Sequence, residues 1–342
     1  MVAYGTDGDE HGLHFKHVGG AVKVSIKSLP IGTTKVSLTC DKDITGDFTY
    51  TVANIADETP AVLSTPASNG GKTVSFTFDA LATTTNRVFY FPTPTLTAPS
   101  FTIKVYVGTA VIWQGHTNKA QPNIPRGGLL ELPELTVSPH YLYVLDDGVI
   151  TGMTNRSWPS TRQIYADGQN FNKLGTKKEG TYNYNQFIVP ISILGSENSI
   201  YYKEGASSNY QVEIKATLST STKNHYFRTD GCTFVAVTSP SSPESVAKGI
   251  WARSTDNPQA SGIWLHAWGA ISTDYPTMTS TTSKYDGRTW YNYSYGSSSG
   301  SYSVLFTYNN HKTSDITGLS TANSYYFDVW DNGSSIGYYQ AN

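Results

Sequence analysis

The sequence predicts an all-β chain of tandem β-sandwich domains, and three observations carry that prediction. Apolar and polar residues alternate with period two through most of the chain, as in half-buried strands. Clusters of Gly, Pro, Asn and Ser part these runs at short intervals. No segment holds a sustained 3.6-residue apolar period with caps, so helices are expected to be short and few.

Taken in order, the first strands are AVKVSIKSL (21–29), TKVSLTC (34–40), KTVSFTF (72–78), VFYFP (88–92) and FTIKVYV (101–107). Residues 120–139 hold four Pro and two Gly and read as the exit from a first domain. YLYVLDD, NQFIVPISIL, YQVEIKATL and CTFVAVTS form a second strand set. SPSSPES (239–245) follows as a short Pro/Ser linker. Beyond it come GIWLHAWG, TWYNYSY, YSVLFTY and SYYFDVW. A length of 342 residues suits two or three β domains, and the expected ones span 1–138, 139–241 and 242–342.

Composition narrows the function classes. Net charge is −2 and only 15% of residues are charged, so no bulk field draws nucleic acid or an anionic membrane. The 24 Tyr and abundant Ser, Thr, Gly and Asn suit sandwiches in an extracellular setting. Cys40 and Cys232 lie far apart, without CxxC or Cys/His spacing, and are expected as buried small apolar residues rather than zinc ligands. No run of 18 apolar residues is present, so no membrane span is expected. The opening MVAYGTDGDE has neither a basic start nor an apolar h-region. The chain is therefore either intracellular or a processed or trimmed form, and composition favours the second.

Catalytic signals are weak. HGLHFKH places His11, His14 and His17 at i, i+3, i+6. That spacing holds a metal on a helix, but a strand follows at once and would set His14 opposite the other two. Asp146 and Asp147 sit in LDDG, where turn chemistry explains them without acid/base work. GxSxG, HExxH, P-loop and GxGxxG patterns are absent. A non-enzymatic protein without cofactor or metal is expected.

Aromatic residues are concentrated instead. Residues 242–342 hold five of the seven Trp and 11 of the 24 Tyr. In GIWLHAWG, Ile263, Leu265 and Ala267 fall on one strand face, and Trp264, His266 and Trp268 on the other. Two readings compete for the second row: half of a sandwich core, or a platform shown to a ligand. His266 between two indoles tilts the row outward, because a buried imidazole must find partners. A mixed arrangement, with one Trp in the core and His266 lining a groove, stays open. DYPTM (274–278) and LFTYNNHKTSDI (305–316), a strand running into a polar loop, add Tyr275, Asn309 and Lys312 as candidates. A sugar ring suits this mixture, since its apolar face lies on an aromatic ring and its hydroxyls take amide, ammonium or imidazole partners. Covering roughly 50 Å² per ring gives about 1 kcal/mol. Two or three stacked sugars with hydrogen bonds then reach roughly millimolar to micromolar affinity. Nucleic-acid platforms use the same rings but add a basic groove, which this region lacks.

The order of these motifs resembles the starch-binding modules of carbohydrate-binding family 26. WLHAW (264–268) stands for the family's aromatic strand and YPTM (275–278) for its WPG-x-M turn. Trp290-Tyr291 stands for its Gly-Trp/Tyr strand, and NNHKTSDI (309–316) for its IFNNG-type strand leading to Q-T-x-D. Tyr275 stands where the family has Trp, Thr277 where it has Gly and Lys312 where it has Gln. The resemblance implies an α-glucan site formed by His266 with Trp264 or Trp268, by Tyr275, and by Asn309 and Lys312.

The first region is similar to the fimbrillin-type domains of Bacteroidetes surface proteins. LHFKHVGGAVKVSIKSLPIGTTKVSLT, VFYFPTPTLTAPSFTIKVY and IPRGGLLELPELTV carry that likeness over most of residues 12–137. It implies an immunoglobulin-like or transthyretin-like sandwich in a lipidated protein of the outer-membrane surface. The middle region carries no such likeness. The expected function is non-catalytic capture of a polysaccharide or oligosaccharide at the cell surface. The alternatives are a pilus subunit or adhesin, with other surface or pilus subunits as partners, and an accessory fragment of a glycoside hydrolase.

Overall fold

The computed structural model describes residues 2–4, 14–48, 50–51, 62–63, 69–145, 162–204, 211–230, 233–243, 248–254, 263–273, 278–285, 288–308, 310–331 and 336–341. The described chain is all-β, and its one helical element is a single 3₁₀ turn at Ile191–Ile193. Two compact units result, Met1–Pro139 and His140–Asn342.

In the first unit one antiparallel sheet runs Ala110–His116, Phe101–Val107, Lys35–Cys40, Thr73–Thr77. The other is built on Gly20–Leu29, with Thr85–Thr93 antiparallel to it. The alternation of VKVSI puts Val22, Val24 and Ile26 in the core. Phe76 and Phe91, one from each sheet, meet edge to face with centroids 5.0 Å apart.

Residues 120–139 are not merely an exit. Leu129–Glu131 and Leu135–Thr136 return as parallel strands along Gly20–Leu29. Lys23–Glu131 (3.1 Å) and Lys27–Glu134 (2.6 Å) hold that return in register. Pro133 falls between these two short ladders, and Pro122, Pro125 and Pro139 lie outside them, where no amide is needed. Cys40 is a buried thiol, and burial pushes its pKa up to about 11. Cys232, His11, Asp146 and Asp147 lie outside the described residues.

The second unit contains two sheet pairs, one within residues 140–236 and one within residues 249–341. In the first pair a five-stranded sheet runs Gly175–Glu179, Tyr182–Val189, His140–Leu145, Asn224–Asp230, Thr233–Ala236. Its partner runs Gln169–Asn172, Arg162–Ala166, Glu197–Glu204, Gln211–Thr217. In the second pair the five-stranded sheet runs Thr279–Tyr285, Arg288–Ser294, Gly249–Ser254, Tyr325–Asp331, Ile336–Ala341. Opposite it, Trp264–Gly269 pairs with Ser301–Tyr308, which also pairs with His311–Lys312 and Ile316–Ser320. Phe187 meets Tyr202 across the first pair at 5.8 Å, and Phe306 meets Phe327 across the second at 4.9 Å. Both contacts close one sheet on the other over a shared core.

The inner face of the first pair holds two buried imidazoles, stacked with centroids 6.0 Å apart. His140 Nδ1 lies 2.9 Å from the Thr222 carbonyl and Nε2 lies 3.0 Å from Lys223 Nζ. Those partners fit a neutral ring that donates at Nδ1 and accepts the ammonium at Nε2. Burial, and then the Lys223 charge, hold the His140 pKa below its usual value. Burial and His140 do the same for His225. The folded pKa values lie below the unfolded ones, so the unfolded chain takes up these protons first as pH falls. Their contribution is complete above about pH 6.5 and is lost progressively below it. The apparent Tm is therefore expected to hold between about pH 8 and 7 and to fall between about pH 6.5 and 5. The slope should flatten in His140→Asn/His225→Asn, as thermal scans across that range will show.

Candidate functional site

Trp264–Gly269 is a strand because its alternation satisfies two environments at once. Ile263, Leu265 and Ala267 are 0%, 0% and 1% exposed and join the core with Val304, Phe306 and Phe327. Trp264, His266 and Trp268 take the opposite face. Trp264 is 49% exposed, and His266 and Trp268 are half-buried. None of the three belongs to the core, which decides the question left open by the alternation: the row faces outward. The His266 and Trp268 rings lie beside one another, 5.5 Å apart and tilted by 36°.

The strand ends at Gly269 for a steric reason. Its φ is +109°, and a Cβ there would stand 2.9 Å from the Ser301 carbonyl oxygen. Only glycine adopts that conformation without strain and lets the two backbones come so close. Beyond the turn, Thr273 bonds back to Ala267 (N–H to O, 3.0 Å) and covers part of the free edge.

Register supplies the rest of the face. Trp264 lies opposite Thr307, His266 opposite Leu305 and Trp268 opposite Ser303. On the far side of Thr307 stands Lys312. Trp264, Thr307 and Lys312 thus form a row across three strands, its ends roughly 10 Å apart at two strand spacings. Thr307 Oγ1 is covered and has no hydrogen-bond partner among the described residues. Lys312 is exposed. The structure therefore brings Trp264, His266, Trp268 and Lys312 to one face. Tyr275 and Asn309 lie outside the described residues.

The polar loop expected at 309–313 is a hairpin. Tyr308 pairs with His311 across a two-residue turn in which Asn310 has φ +63°. His311 points away from the Lys312 side, and its Nδ1 lies 2.9 Å from Asp331 Oδ1, tying the two sheets together at the rim. Thr313 is buried, and its Oγ1 accepts a hydrogen bond from the Phe306 amide at 2.9 Å. Its role is structural. Thr313→Val is expected to cost about 1–2 kcal/mol of stability by orphaning that amide. The variant should keep its strands, which denaturant unfolding beside circular dichroism will check.

Sequence reasoning missed Ser303, Leu305 and Thr307 as part of the face. The alternation in SVLFTY places them on one side of their strand, but their juxtaposition with the aromatic row is a matter of long-range pairing.

No family model matches the sequence, and no curated protein matches it. Among solved structures, the chain is similar to CBMbc (family CBM26) from Eubacterium rectale Amy13K in complex with maltoheptaose. The identity is 12% over 58% of this chain and 96% of that one, with a TM-score of 0.21. It is also similar to the tip fimbrial protein Mfa3 from Porphyromonas gingivalis, at 6% identity over 64% and 98% of the two chains and a TM-score of 0.26. A third similarity is to SGBP-B of the Bacteroides ovatus mixed-linkage glucan utilization locus, in complex with a mixed-linkage heptasaccharide. That match has 10% identity over 95% and 66% of the two chains and a TM-score of 0.13. TM-scores this low leave the function to be read from the chain's own residues.

Proposed function

We propose that the protein is a non-catalytic, cell-surface glycan-binding protein that captures α-glucan on the outer face of Trp264–Gly269 and Ser301–Tyr308. The observation that carries this reading is the outward aromatic row. Trp264 leaves half of a large indole in water, a cost that a ligand's apolar face removes. Lys312, in the same row, offers an ammonium to hydroxyls at the rim. The motif order of residues 264–316 supports α-glucan as the sugar class. Affinity electrophoresis of the full chain in gels containing amylopectin tests the proposal. Retarded migration relative to a plain gel is expected, and equal mobility in both gels would overturn it.

A second reading, an adhesive subunit, has one observation in its favour. The outer face of Thr85–Thr93 exposes Val88 (51%) and Tyr90 (54%), apolar surface in the first unit that a partner subunit would cover. Sedimentation over a wide concentration range tests it. A single species of monomer mass throughout would remove self-assembly from consideration.

A further inference from the structure

The two sheet pairs of the second unit share their strand order and part of their register. Both five-stranded sheets place their first strand third in order, parallel to the fourth and antiparallel to the second. Both carry a stacked ring pair across that parallel contact: Tyr143 with Tyr226 at 4.7 Å and 16°, and Trp251 with Tyr326 at 6.5 Å and 19°. The four-stranded sheets agree more closely still. QIYADG (163–168) matches WLHAWG (264–269) in register over its first three positions, and each stretch ends in a glycine of positive φ. Gln163 pairs with Lys203 as Trp264 pairs with Thr307. Ile164 pairs with Tyr202 as Leu265 with Phe306, and Tyr165 with Tyr201 as His266 with Leu305. The inward residues Ile164, Ala166 and Tyr202 are at most 2% exposed, like Leu265, Ala267 and Phe306.

We propose that the first sheet pair carries a second glycan platform on the face equivalent to that of Trp264 and His266, centred on Tyr165 and Tyr201, and that the protein grips one α-glucan chain at two points. Tyr165 is 38% exposed, and its ring lies 6.4 Å from that of Tyr201 at an angle of 51°. Strand Gln169–Asn172 extends this sheet by one place beyond its counterpart and sets Asn170 against Tyr165 and Asn172 against Gln163. Phe171 between them is buried, so the two amides are exposed on the platform side. Gln163 Nε2 donates to Asn172 Oδ1 at 2.7 Å, and Lys203 Nζ lies 5.6 Å from the Tyr165 ring centre. Across the sheet one row reads Asn170, Tyr165, Tyr201, Glu213 and the next Asn172, Gln163, Lys203, Gln211, with Lys203 buried beneath the Tyr165 ring. Rings for the apolar face of a sugar stand beside donors and acceptors for its hydroxyls. With one lysine and one glutamate in the rows, the formal charges cancel, and the surface suits a neutral chain rather than a polyanion.

The inference rests on the glycan reading above, and calorimetric titration of the full chain with maltoheptaose separates the two. The wild type is expected to bind two heptasaccharides. Tyr165→Ala/Tyr201→Ala and Trp264→Ala/His266→Ala should each bind one, and Tyr165→Phe/Tyr201→Phe, which keeps the rings, should bind two. Either alanine pair should weaken retention on amylopectin by about tenfold or more, through loss of bivalence. Asn170→Ala/Asn172→Ala removes two exposed amides and the Gln163–Asn172 hydrogen bond, and should weaken the second site with at most a small change in thermal unfolding. A wild type that binds one heptasaccharide, with no change in the Tyr165/Tyr201 and Asn170/Asn172 variants, would overturn the second site and leave the first. A wild type that binds none would overturn both.

Discussion

Phe306→Ala is expected to remove about 3–5 kcal/mol from the stability of the second unit. Phe306 is fully buried, sits 4.9 Å from Phe327 of the opposite sheet, and has Leu265 as its cross-strand neighbour. Truncation opens a cavity at the point where the two sheets close, and neither flanking strand can collapse into it without losing its ladder. Domains of this size are stable by roughly 5–15 kcal/mol, so the loss is a large share of the total. Guanidinium unfolding of the full chain will show it as an early transition. A loss below about 1 kcal/mol would mean that the sheets do not meet at this ring.

Trp264→Ala/His266→Ala is expected to weaken the platform's own affinity for maltoheptaose about a hundredfold, at roughly 1–2 kcal/mol for each lost ring contact. Trp264 is half exposed and neither residue belongs to the core, so stability should change by less than about 0.5 kcal/mol. Those two outcomes must appear together. Binding lost with folding would assign the row to structure, and binding kept would move the platform elsewhere. Calorimetry and denaturant unfolding on the same preparation give both.

The relation of sequence to structure differs between the fold and the site. Period-two alternation placed the strands because it is local: AVKVSIKSL, FTIKVYV and GIWLHAWG became Gly20–Leu29, Phe101–Val107 and Trp264–Gly269. The same alternation separated Leu265 and Ala267 from Trp264 and Trp268, but one strand alone does not show which face meets a second sheet. Pairing does, and pairing is long-range. Lys312 joins Trp264 only because both flank Thr307. His311 adjoins Lys312 in sequence, yet neighbouring residues of a strand point to opposite faces, and it bonds Asp331 instead. Residues 120–139 read as an exit from the first domain because they are rich in Pro, while their two short parallel ladders with Gly20–Leu29 leave no local mark. The kinship of the two sheet pairs was hidden for a related reason. Their inward positions share only apolar character, and their outward positions differ, with Gln163 for Trp264 and Tyr165 for His266. Common strand order and register reveal what side-chain identity conceals.

The most direct test of the account is a crystal structure of the full chain soaked with maltoheptaose. Sugar rings are expected to lie on Trp264 and His266, with hydroxyls toward Lys312. Sugar bound elsewhere, with the Trp264–His266–Trp268 row bare, would contradict it.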